Sequence, residues 1–226
     1  LAPNLGWKNC EIKQQIEEEF NIPVIIENEA NAGAYGEKQF GVGKSFNDII
    51  YVSVGIGIGV GLILNNQLYQ GVNGFSGELG HMVIQMDGAP CRCGSKGCWE
   101  VYASEHALID NAKDLDDPTL ESIIDLAKNN DEKAIALFEE IGKYLGFGIN
   151  NIINTFNPEQ IIIGNRLAMA KQWIEQPLQD IVQSHALAFQ QKNLQISFSQ
   201  HSTHSAALGV SAFAFEQFLE NELQEI

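Results

Sequence analysis

Three cysteines lie within eight residues of one another, and they are the densest concentration of metal-binding side chains in the chain. Cys91, Cys93 and Cys98 occupy the run Cys-Arg-Cys-Gly-Ser-Lys-Gly-Cys, and His81 precedes the first of them by ten residues. Three thiolates and one imidazole bind zinc tetrahedrally and leave no open coordination position. We therefore predict a structural zinc ion, bound by these four residues, that holds a loop together and does not catalyse hydrolysis.

The cysteines admit two other interpretations. They could be reduced thiols in a buried turn, but Arg92, Ser95 and Lys96 make this loop polar for a core. They could also form a redox pair, but that chemistry favours the spacing Cys-x-x-Cys, which this loop lacks. The fourth cysteine, Cys10, stands alone, and we predict that it is a small buried hydrophobe.

The composition limits the classes of protein to which the chain can belong. Its 226 residues are 45% hydrophobic and 19% charged, as in globular domains. No apolar run reaches the roughly 18 residues of a membrane helix. The net charge of -16 argues against nucleic-acid binding by these residues themselves, because they would repel duplex phosphates. No secretory signal is visible, so we expect reduced cysteines and a cytoplasmic location.

Hydrophobic periodicity predicts the elements that position these residues. Helices are predicted at 9–20, 29–40, 133–154, 167–187 and 204–222, with shorter ones after Ser104 and Pro118. Strands are predicted at 24–26, 49–54, 60–64, 67–69, 81–84, 161–163 and 194–198, with a glycine turn at 55–59 and a hairpin at Asn65-Asn66. From residue 47 onward, hairpin-connected strands precede alternating helices and strands, which favours a mixed sheet flanked by helices.

Glycines interrupt the longest predicted helix. Gly142, Gly146 and Gly148 lie inside it, where each costs about 1 kcal/mol relative to alanine. We expect them to mark places where a neighbouring element packs very close to the helix.

Several motifs together resemble those of the ROK family of bacterial sugar kinases and sugar-responsive repressors. They are Glu27-Asn28-Glu29-Ala30-Asn31-Ala32, Gly74-Phe75-Ser76-Gly77-Glu78-Leu79-Gly80-His81, the cysteine run followed by Trp99-Glu100, the turn at 55–59, and Ile162-Ile163-Gly164. The resemblance covers nearly the whole chain in the family's order, without the family's N-terminal part. Because the chain also begins at Leu1 without Met, we expect it to be a fragment. Within the family, the motifs resemble the version found in xylose repressors.

The resemblance implies an α/β fold of the actin-like, RNase H-like ATPase type, in which two lobes enclose a sugar. Residues 1–43 would be the incomplete remainder of the first lobe. Residues 44–226 would form the second lobe, with a zinc-binding insertion at about 71–103.

The resemblance also implies that Asn28, Glu29, Glu78, His81 and Glu100 bind the sugar. Carboxylates and amides suit neighbouring sugar hydroxyls, and a hydrogen bond to a charged group contributes about 1.5–3 kcal/mol. His81 would bind zinc with one ring nitrogen and a hydroxyl with the other, so that the metal fixes its tautomer.

Three positions distinguish the chain from the family's kinases. Glu29 stands where the resemblance places an aspartate base, and a displacement of about 1 Å can lower a rate about 10²-fold. Ile56 lies in the turn where the kinases favour a threonine whose hydroxyl faces a nucleotide phosphate. Asn165 stands where the family has the second glycine of a pair, and it narrows the space for a nucleotide. These departures favour sugar binding without phosphoryl transfer, so no catalytic residue is assigned.

We therefore predict a non-enzymatic, inducer-binding domain of a bacterial repressor of carbohydrate utilisation that responds to D-xylose. The resemblance implies a homodimer that binds operator DNA through a separate N-terminal domain, with no membrane partner. Two alternatives stay open: a sugar kinase that transfers phosphate from ATP to a hexose, and a zinc-stabilised interaction domain without a ligand. A helix-turn-helix upstream of Leu1 would favour the repressor, and an Asp-x-Gly-Gly-Thr-like start would favour the kinase.

Overall fold

A computed structural model describes residues 10–224, and side chains up to residue 220. The strands are β1 (Ile49–Val54), β2 (Ile58–Leu64), β3 (Gln67–Leu68), β4 (Gln160–Gly164) and β5 (Gln195–Phe198). The helices are α1 (Ile12–Phe20), α2 (Glu29–Phe40), α3 (Glu100–Ala103), α4 (Glu105–Asn111), α5 (Leu120–Lys128), α6 (Glu132–Phe156), α7 (Lys171–His185), α8 (Ala188–Gln191) and α9 (Ser205–Gln224). Short 3₁₀ turns occupy Leu79–His81, Arg166–Ala170 and Ser202–His204.

The strands form one mixed sheet in the order β3-β2-β1-β4-β5. Hairpins make β1, β2 and β3 antiparallel neighbours, whereas β4 runs parallel to both β1 and β5. The chain leaves β1 towards β2 on one side and leaves β4 towards β5 on the other. A topological switch point therefore lies between β1 and β4, and the carboxyl ends of strands at such a point are where open α/β sheets bind ligands.

The alternation of side chains along the strands buries both faces of the sheet. Ile50, Val52 and Val54 of β1 pack in a core that includes residues of α6 and α7, whereas Ile49 and Tyr51 face a smaller core that includes Ala34 of α2. Helix α2 covers that second face, and α9 packs closely against α2. Burial on both sides explains why β1 is apolar over almost its whole length.

The glycines of α6 lie where the sequence analysis expected a close neighbour. Gly142 and Gly146 face the backbone of α7, and a β-carbon at either position would collide with Ile174 or Ile181. Gly148 faces the ring of Trp99, which is fully buried and donates its indole N–H to the carbonyl oxygen of Tyr144 at 2.8 Å. The packing on α6 thereby fixes the residue between Cys98 and Glu100.

Most predicted elements are confirmed, with small shifts at their ends. The predicted helix at 167–187 begins with a 3₁₀ turn before α7, and the helix predicted after Pro118 is α5, which Thr119 caps through a capping box with Ser122. The Asn65-Asn66 hairpin turn is present, with φ values of 52° and 64°. Such left-handed conformations suit asparagine in a two-residue hairpin loop.

Two predicted strands are wrong. Residues 24–26 form no strand, because Val24 N–H donates to the Glu17 side chain at 3.0 Å instead of pairing with a strand, and Ile26 is 55% exposed. Residues 81–84 form only an isolated bridge, between Val83 and Cys98, after the 3₁₀ turn that contains His81. In both cases the apolar pattern suits a strand, but residues 10–224 offer no extended ladder to complete it.

The prediction for Cys10 is also wrong. Cys10 is exposed, and it precedes α1, which has no buried residue. Ile12 and Ile16 are only half-buried and Phe20 is 66% exposed, so the apolar face of α1 packs incompletely against the described residues. A thiol beside such a face stays accessible to solvent.

The predicted division into lobes at residue 43 stays a prediction. Within the described residues, α2 packs on β1, β2 and α9, so the second half of the range 1–43 is in direct contact with the sheet. None of the helices in residues 10–224 combines the length and apolar character needed to span a bilayer.

Candidate functional site

The four predicted metal ligands come together in the structure. The ligand atoms of His81, Cys91, Cys93 and Cys98 all lie within 4.8 Å of one another. The His81 Nδ1 to Cys91 Sγ distance is 3.6 Å, and the Cys93 Sγ to Cys98 Sγ distance is 3.7 Å. A tetrahedral zinc with ordinary bond lengths would separate such atoms by about 3.6 Å and about 3.8 Å respectively. The donor set and its spacing therefore fit a single tetrahedral metal ion.

Backbone hydrogen bonds form the loop that gathers these ligands. Cys91 N–H donates to the Ser95 carbonyl at 2.8 Å, and Gly94 N–H donates back to the Cys91 carbonyl at 3.0 Å. Gly94 and Gly97 have φ values of 94° and 73°, a region that side chains rarely adopt. The glycines in the cysteine run are therefore required by the turns that bring the three sulfur atoms together.

Without a bound cation, the pKa values of the three thiols are shifted in different directions. Burial raises the pKa of the Cys91 thiol to about 12 and also raises the pKa of the Cys98 thiol. A hydrogen bond from the Ser95 backbone lowers the pKa of the exposed Cys93 thiol. A coordinated divalent cation deprotonates thiols directly, so a metal ion would bring all three cysteines to one charge state.

Two predicted sugar-binding carboxylates lie beside this cluster. Glu100 Oε1 is 3.2 Å from Cys91 Sγ and 3.3 Å from His81 Nδ1. Glu78 Oε2 is 3.9 Å from the other ring nitrogen, His81 Nε2. The Nδ1 atom of His81 thus points into the sulfur cluster, while Nε2 points towards Glu78 on a side chain that is 38% exposed. One ring nitrogen can therefore bind a metal ion while the other faces a ligand, as the two predicted roles of His81 require.

The remaining predicted sugar ligands lie at the N-terminus of α2. Asn28 caps the helix, and its Oδ1 accepts from Ala30 N at 2.8 Å and from Asn31 N at 3.4 Å. An amide oxygen has two lone pairs, so the group that Asn28 still offers is its Nδ2 donor. Glu29 is exposed, and its Oε1 accepts from Asn165 Nδ2 at 2.9 Å.

The two groups of residues flank the same glycine turn between β1 and β2. Asn165, the partner of Glu29, lies against Gly55, and Glu100 Oε2 lies against Gly57. The segment that carries Glu78 and His81 packs through Gly77 and Gly80 on the carbonyl groups of β2. The N-terminal part of α2 packs on β2 as well, through Ala30 against Gly59 and Gly61. The glycines of this region thus allow both groups to approach one strand.

Several contacts of this site have no signal in the sequence. From the sequence, Asn165 is only a side chain that narrows the space for a nucleotide. In the structure, its Nδ2 also donates to Ser53 Oγ at 2.9 Å. Glu27 was noted only within its motif, yet it bonds the Asn31 side chain at 3.0 Å and the Gln70 side chain at 2.8 Å. These pairs are far apart in sequence or depend on rotamers, so no local pattern signals them.

Two surface depressions lie away from these residues. One is lined by residues around Lys171 and Trp173, and the other by residues around Gln191 and Ile196. Neither contains a group of metal-binding or paired carboxylate side chains, so the chemistry points to the glycine turn instead.

Comparison with known proteins identifies the family that has this arrangement. The ROK family model matches residues 1–217, and the chain belongs to the ROK family. It is 44% identical over 221 residues to the xylose repressor of Bacillus spizizenii, covering 97% of this chain and 58% of that protein. It is 36% identical over 203 residues to a glucokinase of Halalkalibacterium halodurans, covering 82% of this chain and 62% of that protein. The chain thus spans less than two thirds of the length of these relatives.

A solved structure gives the same assignment of fold. The ROK family glucokinase from Streptomyces griseus, in complex with glucose and AMPPNP, superposes with a TM-score of 0.89 at 29% identity. The match covers 94% of this chain and 75% of that chain. The predicted fold class is confirmed as an α/β fold of the actin-like ATPase type, with a mixed sheet and flanking helices.

Proposed function

We propose that this chain is the sugar-sensing part of a repressor of carbohydrate utilisation, and that its inducer is D-xylose. The observation that carries the proposal is the gathering of Asn28, Glu29, Glu78, His81 and Glu100 around one glycine turn, beside a cysteine cluster that fits a metal ion. The likeness to a xylose repressor over 97% of the chain supports the regulatory role and the choice of sugar.

The proposal includes one zinc ion bound by His81, Cys91, Cys93 and Cys98. Such a site is closed, so the ion would act by holding residues in place. It would fix the tautomer of His81 and leave Nε2 to face a sugar hydroxyl. Together with the packing of Trp99 on Gly148, it would also keep Glu100 beside the turn.

The remaining polar groups would bind sugar hydroxyls in two ways, as hydrogen-bond acceptors or as a donor. The carboxylates of Glu29, Glu78 and Glu100 accept hydrogen bonds, whereas Asn28 donates through Nδ2 because its oxygen caps α2. A sugar hydroxyl can donate and accept at once, so it can bridge a carboxylate and this amide. Glu100 would contribute most, since its side chain is only 20% exposed and Glu78 is 63% exposed.

The second candidate function is an ATP-dependent sugar kinase, and the similarity to a glucokinase favours it. Three features of the site argue against it. Asn165 holds Glu29 through a hydrogen bond at the position where a base would act. The same side chain lies against Gly55 at the carboxyl ends of β1 and β4, which is the crevice where this topology would take a nucleotide. Ile56 adds an exposed apolar side chain without a donor for a phosphate.

Sugar binding would regulate the repressor through a closing movement. Both groups of sugar-binding residues pack on β2, so they would not move much relative to each other. A closing element would therefore have to come from a part of the relatives that this chain does not span. In a cytoplasmic homodimer, that movement would change the spacing of two DNA-binding domains and thus the fit to operator half-sites about one helical turn apart.

The sensor and the kinase differ in an experiment on the full-length protein. We expect D-xylose to release heat in a calorimetric titration, and ATP with magnesium to produce no ADP in the presence of xylose, glucose or other sugars. Sugar-dependent turnover of about 10 s⁻¹, which is typical of enzymes, would overturn the sensor proposal. If the protein binds none of the pentoses and hexoses, the proposal of sugar sensing itself fails.

A further inference from the structure

Asn165 has a backbone conformation that asparagine rarely adopts. It follows β4 with φ of 66° and ψ of -160°. This combination lies outside the left-handed helical region that asparagine tolerates, in a region occupied essentially by glycine alone. Strained residues of this kind concentrate at functional sites and persist when their surroundings hold them firmly.

Several contacts hold Asn165 in this conformation. Its own Oδ1 accepts from Arg166 N at 2.8 Å, and Ser202 Oγ donates to the Asn165 carbonyl at 3.1 Å. The next side chain, Arg166, forms a bidentate pair with Glu105 at 2.8 Å and 3.1 Å, and Glu105 is only 7% exposed. The strain is therefore imposed by neighbours on three different elements.

The result of this conformation is the placement of one amide group. Asn165 Nδ2 donates to Glu29 Oε1 and to Ser53 Oγ, at 2.9 Å in each case. Ser53 is buried at the end of β1, so it gives the amide a fixed support on the sheet. Glu29, by contrast, is exposed at the start of α2, and in the described residues this amide is the side-chain partner that restrains its carboxylate.

We propose that Asn165 is a positioning residue for ligand binding: it orients Glu29 towards the sugar, and the chain retains an unfavourable backbone conformation for this purpose. The inference rests on the proposed sugar site. With Oε1 engaged by Asn165, the carboxylate presents Oε2 to a hydroxyl in one defined orientation. A sugar then binds a preorganised acceptor and does not have to order an exposed side chain.

Two substitutions separate this role from a structural one. Asn165→Ala removes the amide and keeps the backbone strain, whereas Asn165→Gly removes the amide and relieves the strain. We expect the glycine variant to melt at a higher temperature than the alanine variant. We also expect both variants of the full-length protein to bind D-xylose at least about 10-fold more weakly than wild type, a loss of roughly one well-made hydrogen bond.

A matched control uses another asparagine with positive φ. Asn157 has φ of 45° at the end of α6 and makes no side-chain hydrogen bond in the described residues, so Asn157→Gly makes the same chemical change away from the site. It should leave xylose affinity unchanged. A purely structural role for Asn165 predicts that affinity follows melting temperature, so wild-type affinity in Asn165→Gly would overturn the inference. If wild type binds neither xylose nor glucose, the proposed function fails, and the inference fails with it.

Discussion

Replacing Cys98 with serine is expected to remove most of the zinc from the full-length protein and to unfold the loop at 71–103. Cys98 is fully buried, and its sulfur lies 3.7 Å from that of Cys93. Structural zinc contributes about 10–16 kcal/mol of apparent binding free energy in finger peptides, which is comparable to the total stability of a typical domain, about 5–15 kcal/mol. Metal analysis should find about one zinc per wild-type chain and much less in the variant.

The chain contains a matched control for this experiment. Cys10 is exposed and lies outside the cluster, so Cys10→Ser should keep the zinc and the melting temperature of wild type. Wild-type protein purified without zinc or any other bound metal would contradict the metal assignment. A Cys98→Ser variant with full zinc content would contradict the role given to this ligand.

Replacing Glu100 with alanine is expected to produce the largest loss of sugar affinity among single substitutions. Its carboxylate lies between the cysteine cluster and Gly57, and it is the least exposed of the three carboxylates that we propose to bind the sugar. A hydrogen bond to a charged group is worth about 1.5–3 kcal/mol, so its loss corresponds to a roughly 10- to 150-fold larger dissociation constant. Calorimetry with D-xylose measures this change directly.

Two control measurements show whether a loss of affinity comes from the missing carboxylate itself. Glu139 is exposed on α6 away from the site, so Glu139→Ala should bind xylose like wild type. Zinc analysis of Glu100→Ala should show that the metal is retained, because Glu100 contacts the cluster without being one of its ligands. Xylose affinity unchanged in Glu100→Ala would remove this residue from the site.

Local sequence patterns predicted those parts of the fold whose causes are local. The helix at 29–40 begins with the capping residue Asn28, and the strand at 49–54 is an apolar run with burial on both faces. The segment at 24–26 has an equally apolar run but forms no strand, because pairing requires a neighbour that composition does not reveal. Cys10 was misjudged for the same reason, since burial of a side chain depends on what packs against its helix.

The candidate metal ligands were easier to predict than the contacts of the proposed sugar site. Cys91, Cys93 and Cys98 lie close in sequence, so their spacing alone restricts where the sulfur atoms can meet. The contact between Asn165 and Glu29 joins residues 136 positions apart, and it depends on a strained backbone angle. The role of the Asn28 oxygen as the cap of α2 was overlooked, although asparagine directly before a helix is a typical capping residue, and this role leaves Asn28 as a donor alone.

The most direct test of the account is the binding of full-length protein to operator DNA with and without D-xylose. Allosteric coupling between two sites is typically about 1–3 kcal/mol, so xylose should weaken operator binding by wild type about 5- to 150-fold. Asn28→Asp keeps the oxygen that caps α2 and removes the Nδ2 donor, so it should bind operator like wild type and respond much less to xylose. If xylose leaves the operator affinity of wild type unchanged, the choice of sugar is wrong, and if no sugar changes it, the protein is not a sugar-sensing repressor.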